Sequence, residues 1–114
     1  MGVMMSDFHT LLNNVNDDTT GTAIQWSAGH MNIFVHGTFA NTGNDDDDDD
    51  DNDGGQNYVA IEVSADGSSF VPVDDARHIT REVSKYLRLT GHCYVRARFE
   101  KVTGSPSGIT VKVM

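Results

Sequence analysis

The chain has 114 residues, 8 Lys and Arg against 17 Asp and Glu, a net charge of −9 and one cysteine. That length suits one domain with one small core, and a lone cysteine excludes an intrachain disulfide or a cysteine-built zinc site. An acidic chain with no basic stripe is repelled by phosphate, so neither nucleic acid nor an anionic membrane is expected as a partner.

Seven of the acids form the unbroken run Asp45–Asp51; without it, 8 basic residues face 10 acidic ones, a balance of −2. The rest of the chain is therefore close to neutral. No apolar stretch approaches the roughly 20 residues that cross a bilayer, and MGVMMSDFHTLL lacks the basic and apolar regions of a secretory signal.

Residues 1–20 read as an N-terminal arm, and 21–114 as a single β-sandwich domain. In the arm, Phe8, Leu11 and Leu12 have the i, i+3, i+4 spacing of one helical turn, which Asn13, Asn14, Asp17, Asp18 and Gly21 stop quickly. These three apolar side chains are the candidate partner-binding anchors, since an arm is either frayed or tied down against a neighbour. A short strand follows over residues 23–27. Residues 31–39 alternate Met31, Ile33 and Val35 against Asn32, Phe34 and His36, with Gly37 marking a bulge or a close backbone approach.

A polar hairpin loop spans 44–55. Beyond it, residues 58–65 alternate Val59, Ile61 and Val63 against Tyr58, Ala60, Glu62 and Ser64, and Asp66-Gly67 makes a tight turn. Residues 69–73 return as an edge strand, because Pro72 cannot donate to a ladder. Over HITREVSKYLRLTGHC, Ile79, Val83 and Leu87 have helical spacing, but the β-branched and aromatic content and the break at Thr90-Gly91 favour a strand over 84–89. The longest strand, 92–102, sets Cys93, Val95, Ala97 and Phe99 against Tyr94, Arg96, Arg98 and Glu100. The last, 108–113, alternates Ile109, Val111 and Val113 with Thr110 and Lys112. Seven to eight short strands without crossover helices predict an all-β, antiparallel, jelly-roll-like sandwich.

The aspartate run is the loudest chemical feature. Asp49, Asp51, Asp53 and Gly54 fit the start of a calcium loop, D-x-[DN]-x-[DN]-G, but the required bidentate Glu falls at Ala60, and Glu62 comes two places late inside a strand. Asp49, Asp51 and Asp53 are thus candidate metal ligands for loosely held calcium only, and a solvated, self-repelling loop is the expected state. No other cofactor is expected. The five histidines lack metal-ligand spacing, although His36 and His92 could face each other across neighbouring strands. No nucleophile elbow, phosphate loop or dinucleotide fingerprint occurs, Cys93 lies on a core face, and an enzyme is not expected. Trp26, Phe34, Phe39, Tyr58 and Phe70 are expected mainly in the core, since so small a domain needs its large side chains for burial. Arg77, Arg81, Lys85, Arg88, Arg96, Arg98 and Lys101 gather in the C-terminal half, a charge asymmetry that suits docking between subunits.

The segments YVAIEVSADGSSFVPV and YLRLTGHCYVRARFEKVTGSPSGITVKV resemble the small β-sandwich structural proteins of tailed-bacteriophage virions. The likeness runs through E-x-S-x-D-G (Glu62, Ser64, Asp66, Gly67), F-x-P-V, Y-V-R-A (Tyr94 to Ala97) and a closing I-T-V-K-V strand. The openings G-T-A-I-Q-W and M-N-I-F-V-H-G-T-F extend it from Gly21 to the C-terminus. The aspartate run is outside the pattern. The resemblance implies a virion component made in the host cytoplasm, a capsid cement or decoration protein that contacts the major capsid protein or another virion protein as a homo-oligomer. The alternative is a calcium-assisted carbohydrate-binding or adhesion module of a tail or fibre, with the Asp45–Asp53 loop holding the ion and Trp26 or Tyr58 stacking on sugar.

Overall fold

Alternating apolar and polar residues become a two-layer β-sandwich in the computed structural model, which describes residues 8–41 and 55–114. Among the described residues the strands are β1 (His9–Val15), β2 (Thr19–Thr20), β3 (Ile24–Trp26), β4 (His30–Thr38), β5 (Tyr58–Ser64), β6 (Val71–Pro72), β7 (Val83–Arg88), β8 (Cys93–Glu100) and β9 (Ser107–Val113). One 3-10 turn, Asp74–Ala76, lies between β6 and β7.

Sheet I runs β1-β9-β4-β7 and sheet II runs β2-β8-β5-β6, with β3 also on β8; every pairing is antiparallel. β2 lies opposite Arg98 and Phe99, and β3 opposite Cys93, Tyr94 and Val95. Between them the Gly21 N–H donates to the Ala97 carbonyl, so β2 and β3 are one strand position interrupted at Gly21. A Cβ at Gly21 would sit 2.0 Å from the Leu11 carbonyl oxygen, which explains why only glycine serves where β1 passes the second sheet. Counted this way, each sheet has four positions and the chain's first strand pairs with its last, the arrangement of an eight-stranded jelly roll.

The core lies between the sheets. Met31, Ile33 and Val35 of β4, Leu87 of β7 and Ile109, Val111 and Val113 of β9 face Val59 and Ile61 of β5 and Val95, Ala97 and Phe99 of β8. Phe39 meets Phe99 edge to face at 6.1 Å. The strand expected over 84–89 is β7, and the edge position expected from Pro72 is that of β6. Gly37 marks a register shift between His36 and Thr38, and a Cβ there would lie 2.6 Å from the Gly108 carbonyl oxygen.

The N-terminal reading needs correction. From His9 onward the expected arm is strand β1, with no helical turn, and it is an integral part of sheet I. Its register slips between Thr10 and Leu12, which lie opposite Lys112 and Val111. Leu11 is the extra residue of this bulge, and both adjacent leucines therefore turn into the core. The apparent helical spacing is the signature of a bulge. Leu11 and Leu12 are core residues, not anchors for a partner, and only Phe8 of the three stays exposed.

Asn57, just before β5, is fully buried. Its Nδ2 donates to the Phe39 and Thr103 carbonyls at 2.7 Å each, and its Oδ1 accepts from the Val102 and Thr103 N–H groups. Its backbone N–H donates to Asn41 Oδ1 at 2.8 Å, while Asn41 Nδ2 donates to the Asn57 and Thr80 carbonyls at 3.1 Å. The two asparagines thereby join the chain on either side of residues 42–56. At the other end of β5, Asp66 Oδ1 accepts from the Ser68 and Ser69 N–H groups at 2.9 and 3.1 Å and from Ser64 Oγ at 2.9 Å. These donors favour the carboxylate and hold its pKa at about 2. Asn57→Ala strips four backbone partners of their hydrogen bonds, and urea unfolding is expected to show a loss of about 2–4 kcal/mol; a loss within about 0.5 kcal/mol would show the amide to be dispensable.

Candidate functional site

The two sheets present opposite kinds of outer surface. On sheet II, cross-strand register sets Glu62 opposite Arg96, Ala60 opposite Arg98 and Tyr58 opposite Glu100. Arg96 Nε donates to Glu62 Oε1 at 2.8 Å and Arg98 Nε to Glu62 Oε2 at 3.0 Å, while Arg98 also reaches Glu100. The Phe70 ring covers the Arg96 guanidinium at 3.9 Å, and Tyr58 packs on His78 with ring centroids 4.4 Å apart. Glu62 is only 7% exposed despite its outward position. Burial alone would push its carboxyl up, but hydrogen bonds from Arg96 and Arg98, reinforced by their charges, hold it below its ordinary 4.5. Arg96 and Arg98, counted in sequence among cations available for docking, are thus committed within the chain.

Sheet I is open. Its outward strand positions are His30, Asn32, Phe34 and His36 on β4, Ser84, Tyr86 and Arg88 on β7, and Lys112 on β9 with Thr10 on β1 opposite it. None is Asp or Glu. Phe34 lies between Ser84 and Lys112, and Asn32 lies beside Tyr86. Tyr86 is 61% exposed, Phe8 50% and Phe34 40%. Tyr86 stacks on His30 at 5.8 Å with 21° between the planes, and Lys112 Nζ lies 5.0 Å from the Phe8 ring centre. Large rings from β4, from β7 and from the residue before β1 thus share one face, and the Glu82 carboxylate stands at its end, where it accepts from the Gly37 N–H at 3.0 Å.

The β7 edge of that sheet is guarded. Lys85 of β7 lies opposite Ile33, in the inward phase of an edge strand. An inward-pointing lysine on an edge discourages pairing with another strand.

The other expected site residues disperse. Asp49, Asp51 and Asp53 lie outside the described residues, as does most of the 44–55 loop. Among the described residues no three His, Cys, Asp or Glu side chains gather where they could hold a metal ion. His36 is on β4 in sheet I and His92 precedes β8 in sheet II, so they do not face each other across neighbouring strands. Cys93 is buried, and burial pushes its thiol up, away from the reactive thiolate. Of the five aromatics expected mainly in the core, Phe39 is buried, Trp26, Tyr58 and Phe70 are half-buried, and Phe34 faces solvent. Tyr86 was not singled out by the sequence reasoning, although a large ring in the outward phase of an alternating strand is a signal that could have found it. Comparison of the chain with protein-family models, with curated proteins and with solved structures found no match.

Glu62→Gln leaves two arginines without their shared carboxylate. At neutral pH this variant is expected to lose about 1–3 kcal/mol of unfolding free energy, since the guanidiniums keep partial access to solvent. Because the folded carboxyl titrates below 4.5, its contribution is present above that pH and fades as the pH falls through the lower folded value. Urea unfolding at pH 7 and near pH 3 checks this, and the gap between wild type and variant should narrow at the acidic end.

Proposed function

We propose that this protein is a structural component of a tailed-phage virion, a capsid cement or decoration protein that docks on the shell through the outer face of sheet I. The observation that carries the docking surface is the exposure of Phe8, Phe34 and Tyr86 on one face with no acidic side chain among its outward strand positions. Exposed aromatic patches mark surfaces that bury themselves against a partner, and rigid rings such as tyrosine supply binding area at little conformational cost.

The virion assignment itself rests on the motif resemblance from Gly21 onward. The jelly-roll strand order supports it, since that architecture serves in viral capsids as well as lectins. In this reading the protein acts by binding, as a homo-oligomer whose copies contact the major capsid protein or another virion protein, and no catalytic step is involved. Lys112 and Arg88 beside the rings suit a partner surface with acidic or carbonyl-rich rims.

Phe34→Ser combined with Tyr86→Ser tests this. Both side chains are exposed, so the thermal midpoint should stay within a few degrees of wild type. Binding to heads of the phage that encodes the chain, read by co-sedimentation, should fall at least about 30-fold, the loss of about 2 kcal/mol that one hot-spot ring supplies. A strictly monomeric protein that ignores heads, or a double variant that binds as wild type does, would overturn it.

A further inference from the structure

Where β3 meets the start of β8, the sandwich opens into a cleft of about 380 Å³ lined by Gln25, Trp26, Ser27, His92, Cys93 and Tyr94. That volume is within the range of about 300–1,000 Å³ common to small-molecule sites. The cleft wraps the edge of sheet II, because Gln25 and Trp26 are consecutive residues of β3 and project to opposite faces.

Its walls are held in place. The Trp26 Nε1–H donates to the His30 carbonyl at 2.8 Å, and His9 packs edge-on against the indole at 6.1 Å and 79°. With its one donor engaged, the indole offers the cleft carbon surface in a fixed orientation. Gln25 Nε2 donates to the Tyr94 hydroxyl oxygen across a long 3.4 Å contact, which leaves the amide oxygen and the phenol O–H free to bond a ligand.

His92 supplies a second, independent observation. Its backbone is left-handed, with φ of 47°, directly after Gly91 at 81°. A histidine held there costs free energy that glycine would not, and such strain collects where a side chain is needed for function. What histidine adds at this position is an imidazole on the cleft wall.

Among the described residues no Asp, Glu, Lys or Arg lines the cleft. A phosphate or carboxylate ligand would find no counter-charge, and a purely apolar ligand would strand the amide, hydroxyl and imidazole groups without partners. Aromatic surface beside uncharged donors and acceptors fits a ring with C–H faces and hydroxyl edges. We propose that this cleft binds a neutral sugar ring, with Trp26 meeting its apolar face and Gln25, Ser27, His92 and the Tyr94 hydroxyl its hydroxyls. The proposal is independent of the virion reading and requires no calcium.

Trp26 is the only tryptophan of the chain, so its fluorescence reports on the cleft directly. The full chain is titrated with the methyl glycosides of glucose, galactose, mannose and N-acetylglucosamine, and with the disaccharides cellobiose, maltose and lactose, in the presence of chelator. At least one is expected to give a saturable change with half-saturation at about millimolar concentration. Gln25→Ala and His92→Gly should each weaken that response about tenfold. His92→Gly should also raise the thermal midpoint or leave it unchanged, since glycine takes the left-handed backbone freely, and so lost binding cannot be blamed on a lost fold. Absence of a saturable response to every sugar in the panel, or a response that survives both substitutions unchanged, overturns the proposal. Head binding by the same variants should be unaffected, because the cleft lies on sheet II and the docking face on sheet I.

Discussion

The sandwich is closed by the pairing of its first strand with its last. β1 contributes Leu11 and Leu12 to the core, covers β9 and passes close enough to the second sheet that Gly21 must lack a side chain. Without it β9 would become an exposed edge and the layer opposite β8 would lose two leucines. Because the pairing joins residues about a hundred positions apart, its loop-closure cost must be met before the contact rewards it. Non-local contacts dominate a jelly roll, and the longest-range pairing here, β1 with β9, makes β1 the element on which cooperative folding turns.

That element was also the least legible in the sequence. β4, β5, β8 and β9 announced themselves through strict alternation, because each buries one face and any slip of register would expose its apolar set. Pro72 marked β6 as an edge through a missing N–H. β1 did not alternate, because its bulge turned two adjacent leucines inward and mimicked one turn of helix, and β2 is two threonines with no pattern to read. Strand order was equally hidden, since periodicity says which face of a strand is buried and nothing about its neighbours. Glu62 could not be recognised as a buried ion-pair centre for the same reason: its partners Arg96 and Arg98 are set by register with a strand more than thirty residues away. The aromatic outer face of sheet I was half legible, as Phe34 and Tyr86 stand in the outward phase where polar residues are the rule.

The two outer faces divide labour by how they handle their large side chains. Sheet II spends its arginines internally, folding Arg96 and Arg98 over Glu62 and capping one with Phe70, so that an otherwise costly buried carboxylate is matched on both oxygens. Sheet I leaves its rings in water. A small domain cannot enclose every aromatic it carries, and the ones left outside here share a face.

The paired amides of Asn41 and Asn57 bring the two sides of residues 42–56 within hydrogen-bonding distance of each other. Two chain positions held together in this way make the free energy of the domain insensitive to the number of residues between them, since each doubling of a loop costs only about 0.6 kcal/mol. The position therefore works as an evolutionary insertion port. The aspartate run falls between these two residues in the sequence, at a point where chain length can change without renegotiating the join between Asn41 and Asn57.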